Sequence, residues 1–370
     1  MSQTESEVLE KNFGMGAIAN PDTVQCVLDI GVVRCPSCFL CGNKGTELYT
    51  DTVDWLFGVP GRWAIRRCCV CEVAWPDPQP AAEDIPKLYS RYHTHHRVSE
   101  TRLDGLRRAV RQCVLARMGY DTAYPKEILP RLLSYVPSLA RAAALDVMNL
   151  APSPVGTLLD VGCGNGQFME RMRDLGWSVC GVDPDPAAAR KGRSQGLQIF
   201  VGTVSDVPDT TRFDVITLNH VVEHVPDPIA LLRECRRRLR PQAGTLIITT
   251  PNIKSLGHWW FKSYWRGLEV PRHLVLFSPA ALTDCVVRSG LRVRTIRTET
   301  RLARMICNPS ISAKEGNREV GEQIDFKVST KCASYAFQLL EDVMACFKKD
   351  IGEEIYCECL APAGDDDKQL

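Results

Sequence analysis

The chain contains 370 residues, of which 45% are hydrophobic and 24% are charged, and its formal net charge is +1. This length predicts two or three folded units, and the composition is typical of a globular protein. A nearly neutral chain has no overall field to hold a polyanion, so we do not expect nucleic acid as a partner.

The cysteines and the N-terminal residues together indicate a compartment. The chain has 17 cysteines, which is a high and odd number. Residues 1–10 are polar and acidic, unlike a secretory signal peptide, and no apolar run is long enough to span a bilayer. We therefore interpret the cysteines as reduced thiols and metal ligands, and we expect a cytoplasmic protein without a membrane span.

Two C-x-x-C knuckles follow an N-terminal extension over residues 1–33. Each knuckle supplies two thiolates from one tight bend, and four thiolates suit tetrahedral Zn²⁺. We predict a zinc ribbon over residues 34–80, in which the metal is structural because four thiolates leave no open coordination position. The expected ligands are Cys38, Cys41, Cys68 and Cys71. Cys35 and Cys69 remain alternatives, because spacing alone does not exclude them.

A helical connector is predicted over residues 81–152. Apolar residues recur at helical spacing over residues 99–118 and again over residues 125–150. Histidines at positions 93, 95 and 96 are interpreted as surface residues rather than as ligands of a second metal. The next unit, over residues 153–362, alternates strand and helix patterns and predicts a parallel sheet.

The stretch from Thr157 to Gly166, TLLDVGCGNG, is the most informative part of the chain. It predicts a buried parallel strand that breaks into a tight glycine turn, which then opens a helix from Gln167 to Leu175. Glycines let backbone lie against a ligand, and a helix N-terminus offers unpaired N–H groups. We expect this turn to hold the polar part of a nucleotide-like molecule. The ligand-binding candidates here are Asp160, Gly162, Cys163, Gly164 and Gly166.

The spacing of the turn indicates which molecule it holds. A dinucleotide site reads G-x-G-x-x-G and cradles a pyrophosphate, whereas this turn reads D-x-G-x-G-x-G. Asp160 would repel a pyrophosphate but attract an ammonium or a sulfonium group. A second predicted strand, over residues 178–182, ends at Asp183, which places a carboxylate where a ribose diol binds in doubly wound folds. These features disfavour a nicotinamide dehydrogenase.

These motifs, in order from about Thr157 to Val293, resemble the class I S-adenosylmethionine (SAM)-dependent methyltransferases. Within that class, they resemble the ubiquinone-biosynthesis O-methyltransferase group. The resemblance implies an α/β, doubly wound, Rossmann-like sheet of seven strands with SAM as cofactor. It also implies that the turn at residues 202–206 packs against adenine. Thr203, Val204 and Asn219 complete the expected cofactor contacts.

The first half also has a resemblance of its own. It is similar to a zinc-binding segment that precedes some bacterial methyltransferases, on the basis of Cys38 to Gly42, Phe57 to Gly61, Cys68 to Cys71 and Trp75 to Pro80. Glu72 departs from that pattern, because the second knuckle usually has Gly at this place.

The remaining predicted strands cover residues 198–201, 213–218, 245–250, 291–300 and 355–361. We expect the last strand to pair between the fifth and sixth strands, as in the resembled fold. An insertion is predicted at about residues 301–350, within which residues 301–330 show no clear period. Residues 363–370 are interpreted as an acidic tail.

Two loops are expected to carry the chemistry, because ligands bind outside the carboxyl ends of parallel strands. They cover residues 219–228 and 251–273. Methyl transfer to a hydroxyl also requires a base, and histidine titrates near neutral pH. His224 and His273 are the candidate bases, and Glu223 is expected to orient one of them; His220 is the next candidate. In the resembled quinone O-methyltransferases and sugar C-methyltransferases, the same loops supply the catalytic histidine or carboxylate.

The sequence supports one leading interpretation and three alternatives. The leading one is O-methylation of a small-molecule or glycan-precursor acceptor. The alternatives are C-methylation of a nucleotide sugar, RNA methylation with a ribbon that grips RNA, and a SAM-binding protein that recruits a partner. Acidic residues roughly balance the cations of the ribbon, which disfavours RNA. The acceptor's identity and the oligomeric state stay open at this stage.

Overall fold

The computed structural model describes residues 30–89, 102–152, 156–316 and 326–362. Most of the predicted N-terminal extension, the three histidines at positions 93, 95 and 96, and the predicted acidic tail lie outside these ranges. Among the residues described, no helix combines the length and the apolar character needed to cross a membrane.

The N-terminal part contains two small antiparallel sheets. The strands are β1 (Val32–Val33), β2 (Thr46–Thr52), β3 (Trp63–Arg67), β4 (Ala74–Pro76) and β5 (Gln79–Pro80). Strands β2, β3 and β4 form one sheet, and β1 pairs with β5. The two cysteine knuckles flank the β2–β3 hairpin, so that the hairpin brings them together. A 3₁₀ helix, Ala82–Tyr89, leads out of this unit.

The connector is helical, but its second helix is not continuous. The helices are α1 (Arg102–Arg117), α2 (Ile128–Leu133) and α3 (Pro137–Leu145). A single helical run over residues 125–150 was therefore a wrong expectation. Pro137 lacks an N–H group and occupies the first turn of α3, where none is needed, so it begins a new helix instead of continuing the old one.

The second unit is built on a sheet that has seven strands within the described residues. Its strands are β6 (Thr157–Val161), β7 (Ser178–Asp183), β8 (Gln198–Val201), β9 (Val215–Asn219), β10 (Thr245–Pro251), β11 (Arg292–Glu299) and β12 (Glu354–Leu360). The spatial order is β11-β12-β10-β9-β6-β7-β8. β12 runs antiparallel to both β10 and β11, which confirms that the last strand pairs between the fifth and sixth strands.

Helices connect these strands. They are α4 (Gln167–Asp174), α5 (Pro186–Ser194), α6 (Pro228–Arg238), α7 (Leu256–Phe261), α8 (Pro279–Arg288), α9 (Ala303–Lys314) and α10 (Val328–Ala345). The lack of period over residues 301–330 was misleading, because α9 lies there. Pro309 inside α9 interrupts the pattern, while Ile306 and Cys307 pack with Phe337 of α10 in one buried cluster.

The central strands are buried along their length, which explains their continuous apolar sequences. Leu158 and Leu159 of β6 and Ile216 and Leu218 of β9 are fully buried. Burying each such side chain contributes about 1.5–3 kcal/mol. This core fixes the carboxyl ends of β6, β7, β9 and β10 at one edge of the sheet, where the polar side chains of the candidate site follow.

Candidate active site

Three glycines after β6 adopt left-handed backbone angles. The φ values of Gly162, Gly164 and Gly166 are +69°, +53° and +82°. A Cβ at Gly162 would lie 2.6 Å from Val221, and a Cβ at Gly166 would lie 2.3 Å from Leu197. A Cβ at Gly164 would meet nothing within 4 Å. Two glycines thus allow close packing, while Gly164 presents bare backbone to open space in which a ligand can lie.

Asp160 lies beside the bend and is held by the neighbouring strand. The register of β6 and β9 places Asp160 opposite Thr217, whose hydroxyl donates to the Asp160 carboxylate at 2.7 Å. Burial, with a smaller contribution from the Asp183 carboxylate, outweighs the hydrogen bond from Thr217 and raises the pKa of Asp160 to about 7. A positively charged ligand beside Asp160 would favour its ionised form and lower this pKa.

Asp183 closes the bend from the end of β7. One carboxylate oxygen accepts the N–H of Gly164 at 2.7 Å, and the other accepts the N–H of Asp185 at 2.8 Å. Cys163 is buried and packs against Met169 beneath the turn, so only its backbone faces the ligand side. The acid at the end of the second strand therefore shapes the glycine turn itself.

The other candidate cofactor residues lie just after β8 and at the end of β9. Thr203 is exposed after β8 and shares hydrogen bonds with Asp206, whereas Val204 is buried in the core. A contact from Val204 to adenine would therefore use its backbone. Asn219 is exposed at the end of β9, and its side-chain oxygen accepts the Thr249 hydroxyl at 2.7 Å.

The two candidate bases meet at the same edge of the sheet. The rings of His224 and His273 lie 4.6 Å apart between centroids. His224 is half-buried, and its Nδ1 lies 3.1 Å from the carbonyl oxygen of Arg272 and 2.9 Å from the Tyr89 hydroxyl. A carbonyl can only accept, so we assign the proton of the neutral ring to Nδ1, which leaves the lone pair on Nε2. The Tyr89 hydroxyl can accept as well as donate and is compatible with this assignment. No residue of the described ranges hydrogen-bonds this Nε2.

His273 is more enclosed than His224. Only 3% of its surface is exposed, and its Nδ1 donates to the carbonyl of Gly267 at 2.8 Å. Burial, together with the neighbouring His224, lowers the pKa of His273 to about 4 despite the nearby glutamates. His273 is therefore a neutral ring packed against His224 at ordinary pH.

Glu223 hydrogen-bonds neither of these histidines. Its carboxylate binds His220 Nδ1 at 3.1 Å and accepts the Thr250 hydroxyl at 2.9 Å. The Nε2 of His220 lies 2.9 Å from Glu354, which also receives two N–H groups of Arg301. Burial lowers the pKa of His220, but the hydrogen bonds to the two glutamates outweigh burial and raise it to about 10. His220 is thus a charged link between buried carboxylates.

Ligand atoms of Glu223, His224 and His273 all lie within 4.8 Å of one another. This spacing is compatible with a divalent cation. However, the oxygens of Glu223 are already engaged by His220 and Thr250. We therefore assign no cation to these three side chains.

The four knuckle cysteines form a second cluster, away from this edge. Their Sγ atoms lie within 4.8 Å of one another, with Cys38 and Cys71 at 3.3 Å and Cys41 and Cys68 at 3.4 Å. Two thiolates on one tetrahedral Zn²⁺ are separated by about 3.8 Å, so the donor set fits the metal after a small expansion. The side chain of Cys35 instead contacts the Val33 carbonyl, and Cys69 is exposed.

Glu72 occupies the usual glycine position of the second knuckle. Its φ is +65°, close to the +74° of Gly42 in the first knuckle, so the turn keeps its shape. The Glu72 carboxylate forms an ion pair with Lys254 at 2.6 Å and accepts the Ser278 hydroxyl at 3.3 Å. The departure from glycine therefore joins the knuckle to the second unit.

Contacts of this kind recur along the loop from Pro251 to His273, which we call the lid loop. Tyr49 of the ribbon binds His258 of the lid loop at 2.9 Å, and Asp54 binds Arg272 with two hydrogen bonds. Just past the lid loop, Ala74 pairs with Leu276 through two backbone hydrogen bonds. Sequence reasoning missed Asp54 and Arg272, as well as Tyr89, Arg301 and Glu354. Of these residues, only Arg272 could have been identified from its neighbours, because it directly precedes the candidate base His273.

Comparison with known proteins assigns this second unit. Residues 131–296 match the family model described as "Methyltransferase domain". The chain carries a methyltransferase domain. The match covers both the glycine bend and the two histidines, and it agrees with the resemblance that the motifs indicate.

Curated relatives of this domain are named as ubiquinone biosynthesis O-methyltransferases. The chain is 40% identical to that of Xanthomonas oryzae pv. oryzae (strain PXO99A) over 150 residues, which cover 37% of this chain and 58% of the relative. It is 30% identical to the mitochondrial protein of Saccharomyces cerevisiae over 190 residues, which cover 47% of this chain and 59% of the relative. The chain therefore spans less than two thirds of the length of either relative.

Solved structures also include similar chains. A SAM-dependent methyltransferase from Archaeoglobus fulgidus shares 19% identity, with a TM-score of 0.40 over 60% of this chain and 92% of that chain. The complex between the Haloferax volcanii Trm112 methyltransferase activator and the putative methyltransferase contains a chain with 19% identity and a TM-score of 0.42, over 60% of this chain and 89% of that chain. At so low a TM-score we base no inference on either similarity.

We predict that Glu354→Gln destabilises the fold much more than Glu358→Gln on the same strand. Glu354 is fully buried against Arg301 and His220, whereas Glu358 pairs with the exposed Arg294. The expected loss in free energy of unfolding is about 3–5 kcal/mol for Glu354 and within about 1 kcal/mol for Glu358. Urea unfolding at neutral pH measures both.

The pH dependence of the free energy of unfolding checks this prediction. Burial would raise the pKa of Glu354, but Arg301 and His220 outweigh it and lower the pKa to about 2. The stabilisation is therefore complete above the ordinary pKa of glutamate and is lost as pH falls through about 2. A difference between wild type and Glu354→Gln that stayed constant from neutral pH to strong acid would contradict this assignment.

Proposed function

We propose that this protein is a SAM-dependent methyltransferase that methylates an oxygen atom of a small-molecule acceptor. The carrying observation is that the carboxylate-flanked glycine bend and the His224–His273 pair lie at one edge of the sheet in a domain of the methyltransferase family. The curated relatives are named as O-methyltransferases, which favours oxygen over carbon as the acceptor. The reaction of the whole protein is part of the proposal, because these matches cover only part of each relative.

The donor set of the bend fits SAM better than it fits a dinucleotide. Gly164 leaves an open cradle at the bend, and Asp160 and Asp183 place two carboxylates beside it. Two acids repel a pyrophosphate but favour the ammonium and sulfonium charges of SAM. Asp160, Gly162, the Cys163 backbone, Gly164, Gly166 and Asp183 would hold the amino acid and ribose parts. Thr203, the Val204 backbone and Asn219 would line the rest of the SAM site.

We predict that the affinity for SAM rises with pH around neutrality. In the free protein Asp160 has a pKa of about 7, so its attractive charge is lost as pH falls below that value. If the ionised form alone binds, the affinity increases up to about tenfold from pH about 6 to about 8. Isothermal titration calorimetry measures this change.

The Asp160→Asn variant tests the cause. It should bind SAM weakly and with a flatter pH dependence, whereas Asp174→Asn, which removes an exposed carboxylate, should behave as wild type. If NADH bound well while SAM gave neither heat nor thermal protection, the proposed cofactor would be wrong.

His224 is the group that we assign as the base. When bound, SAM supplies an electrophilic methyl carbon on a positively charged sulfur. Transfer of this carbon to the acceptor oxygen would break the carbon–sulfur bond and leave its electron pair on sulfur. His224 Nε2 accepts the proton that the acceptor hydroxyl loses, because its lone pair is available while Nδ1–H is held by the Arg272 carbonyl.

The two histidines differ in their exposure to solvent, and we assign them different roles for this reason. His224 is half-buried and accessible to an acceptor, whereas His273 is almost fully buried and has a pKa lowered to about 4. A base of such low pKa takes up a proton poorly near neutral pH. His273 therefore supports the His224 ring, against which it packs.

We predict that His224→Ala lowers kcat by about 10²–10⁴-fold without weakening SAM binding, because it removes the proton acceptor. His273→Ala should have a smaller effect. The assay follows labelled methyl transfer from SAM to a panel of hydroxylated small molecules, with SAM affinity measured separately by calorimetry. If both variants methylated normally, neither histidine would be the base; if only His273→Ala lost activity, His273 would be the base.

We propose that the four knuckle cysteines hold a structural Zn²⁺. Four thiolates converge in the described part of the chain, and four-thiolate sites leave no open position for catalysis. The metal would stabilise a unit whose two sheets are small and whose loops contact the lid loop.

The corresponding prediction concerns metal content. The purified protein should hold about one Zn²⁺ per chain, and Cys38→Ser and Cys71→Ser should lose it and unfold the ribbon. Cys69→Ser is the matched control, since this neighbouring thiol is exposed and lies outside the cluster. Elemental analysis decides, and unchanged zinc in the first two variants would remove them from the ligand set.

A further inference from the structure

Asp54 lies in the ribbon, between β2 and β3, yet it faces the second unit. Its side chain is almost fully buried. One oxygen accepts the backbone N–H groups of Leu56 and Phe57, each at 3.1 Å, and the other accepts the N–H of Val59 at 3.0 Å. The turn of the hairpin therefore wraps around this carboxylate and fixes its direction.

The partner of this carboxylate is Arg272, 218 residues further along the chain. Two guanidinium nitrogens donate to the two oxygens of Asp54 at 2.9 and 3.1 Å, and Nε donates to Glu269 at 3.2 Å. The ring of Phe57 covers the guanidinium at 4.1 Å. Arg272 has no exposed side-chain surface, so its position is determined by these contacts.

The backbone of Arg272 faces the candidate base. Its carbonyl lies 3.1 Å from Nδ1 of His224 and is the acceptor on which we assign the proton to that nitrogen. A shift of Arg272 would move or remove this acceptor, and the ring could then place its proton on Nε2, where the base needs a lone pair. The ribbon residue Asp54 binds the side chain of Arg272, while the backbone carbonyl of Arg272 contacts His224.

We propose that Asp54 is a positioning residue for His224 and acts through Arg272. The ribbon then does more than dock on the second unit, because its carboxylate sets the tautomer and direction of the base. This inference rests on the proposed function, in which His224 takes the acceptor proton. It also provides a physical reason for a metal-stabilised unit next to a methyltransferase domain.

The test compares Asp54→Asn with Tyr49→Phe. Both variants remove a ribbon contact to the lid loop, but the Tyr49 contact goes to His258 and not toward His224. Nitrogen NMR of histidine-labelled full-length protein reports the tautomer of His224, whose signals are assigned by their loss in His224→Gln. We expect Asp54→Asn to raise the population with the proton on Nε2, and we expect Tyr49→Phe to keep the wild-type signals.

Kinetics provide the second readout. Asp54→Asn should lower kcat roughly 10- to 100-fold and change the pH profile of kcat, with little change in KM for SAM. Tyr49→Phe should keep the wild-type pH profile. Asp54→Glu, which restores the charge opposite Arg272, should recover part of the loss. It also replaces Asp54→Asn in both measurements if the asparagine variant does not fold.

The outcomes separate this inference from the proposed function. If Asp54→Asn kept the wild-type signals of His224, or if Tyr49→Phe changed them equally, Asp54 would be a docking residue only and the inference would fail. If wild type transferred no methyl group while Asp54→Asn still changed the His224 tautomer, the proposed function would fail and the positioning would stand.

Discussion

The geometry of the acceptor side depends on the buried Glu223. Its carboxylate is anchored by His220 and Thr250, which fixes the short turn after β9. Its carbonyl accepts the N–H groups of Leu274 and Val275, at 2.8 and 3.2 Å. The carbonyl therefore ties the end of the lid loop to the turn that carries His224. One residue thus brings together two loops that are far apart in sequence, and the His224–His273 contact follows from it.

This arrangement strains the backbone at His220. This residue has a φ of +55°, which an ordinary side chain adopts at a cost of about 1–2 kcal/mol. Glu223 and Glu354 bind both nitrogens of its ring, and Arg301 binds Glu354 in turn. The buried charges compensate one another across the ends of β9 and β12 and offset the backbone strain. A strained residue held at a functional edge is a common way to fix a loop.

Sequence patterns predicted those features of the fold that depend on residues close together in the chain. The glycine bend follows from the spacing of neighbouring residues, and the convergence of the two histidine loops follows from the rule that ligands bind at the carboxyl ends of parallel strands. The place of the last strand in the sheet came instead from the family resemblance. The pairs Asp54–Arg272 and His220–Glu354 could not be predicted in this way, because their members are 218 and 134 residues apart. The α9 helix was missed because Pro309 interrupts its pattern. Long-range charge pairing leaves no periodic signal in a single sequence, although it determines how the loops are held.

The charges divide the site into two halves. At the glycine bend, burial and Asp183 raise the pKa of Asp160 to about 7, and a positively charged ligand would favour the ionised carboxylate. On the acceptor side, burial would raise the pKa of Glu354, but Arg301 and His220 lower it to about 2. Glu269 is neutralised in a similar way by Arg266 and Arg272. The acceptor side therefore offers little net attraction for a cation, which suits a neutral hydroxyl acceptor. In the proposed reaction, the proton of the acceptor would pass to Nε2 of His224, since the neighbouring carboxylates are already paired.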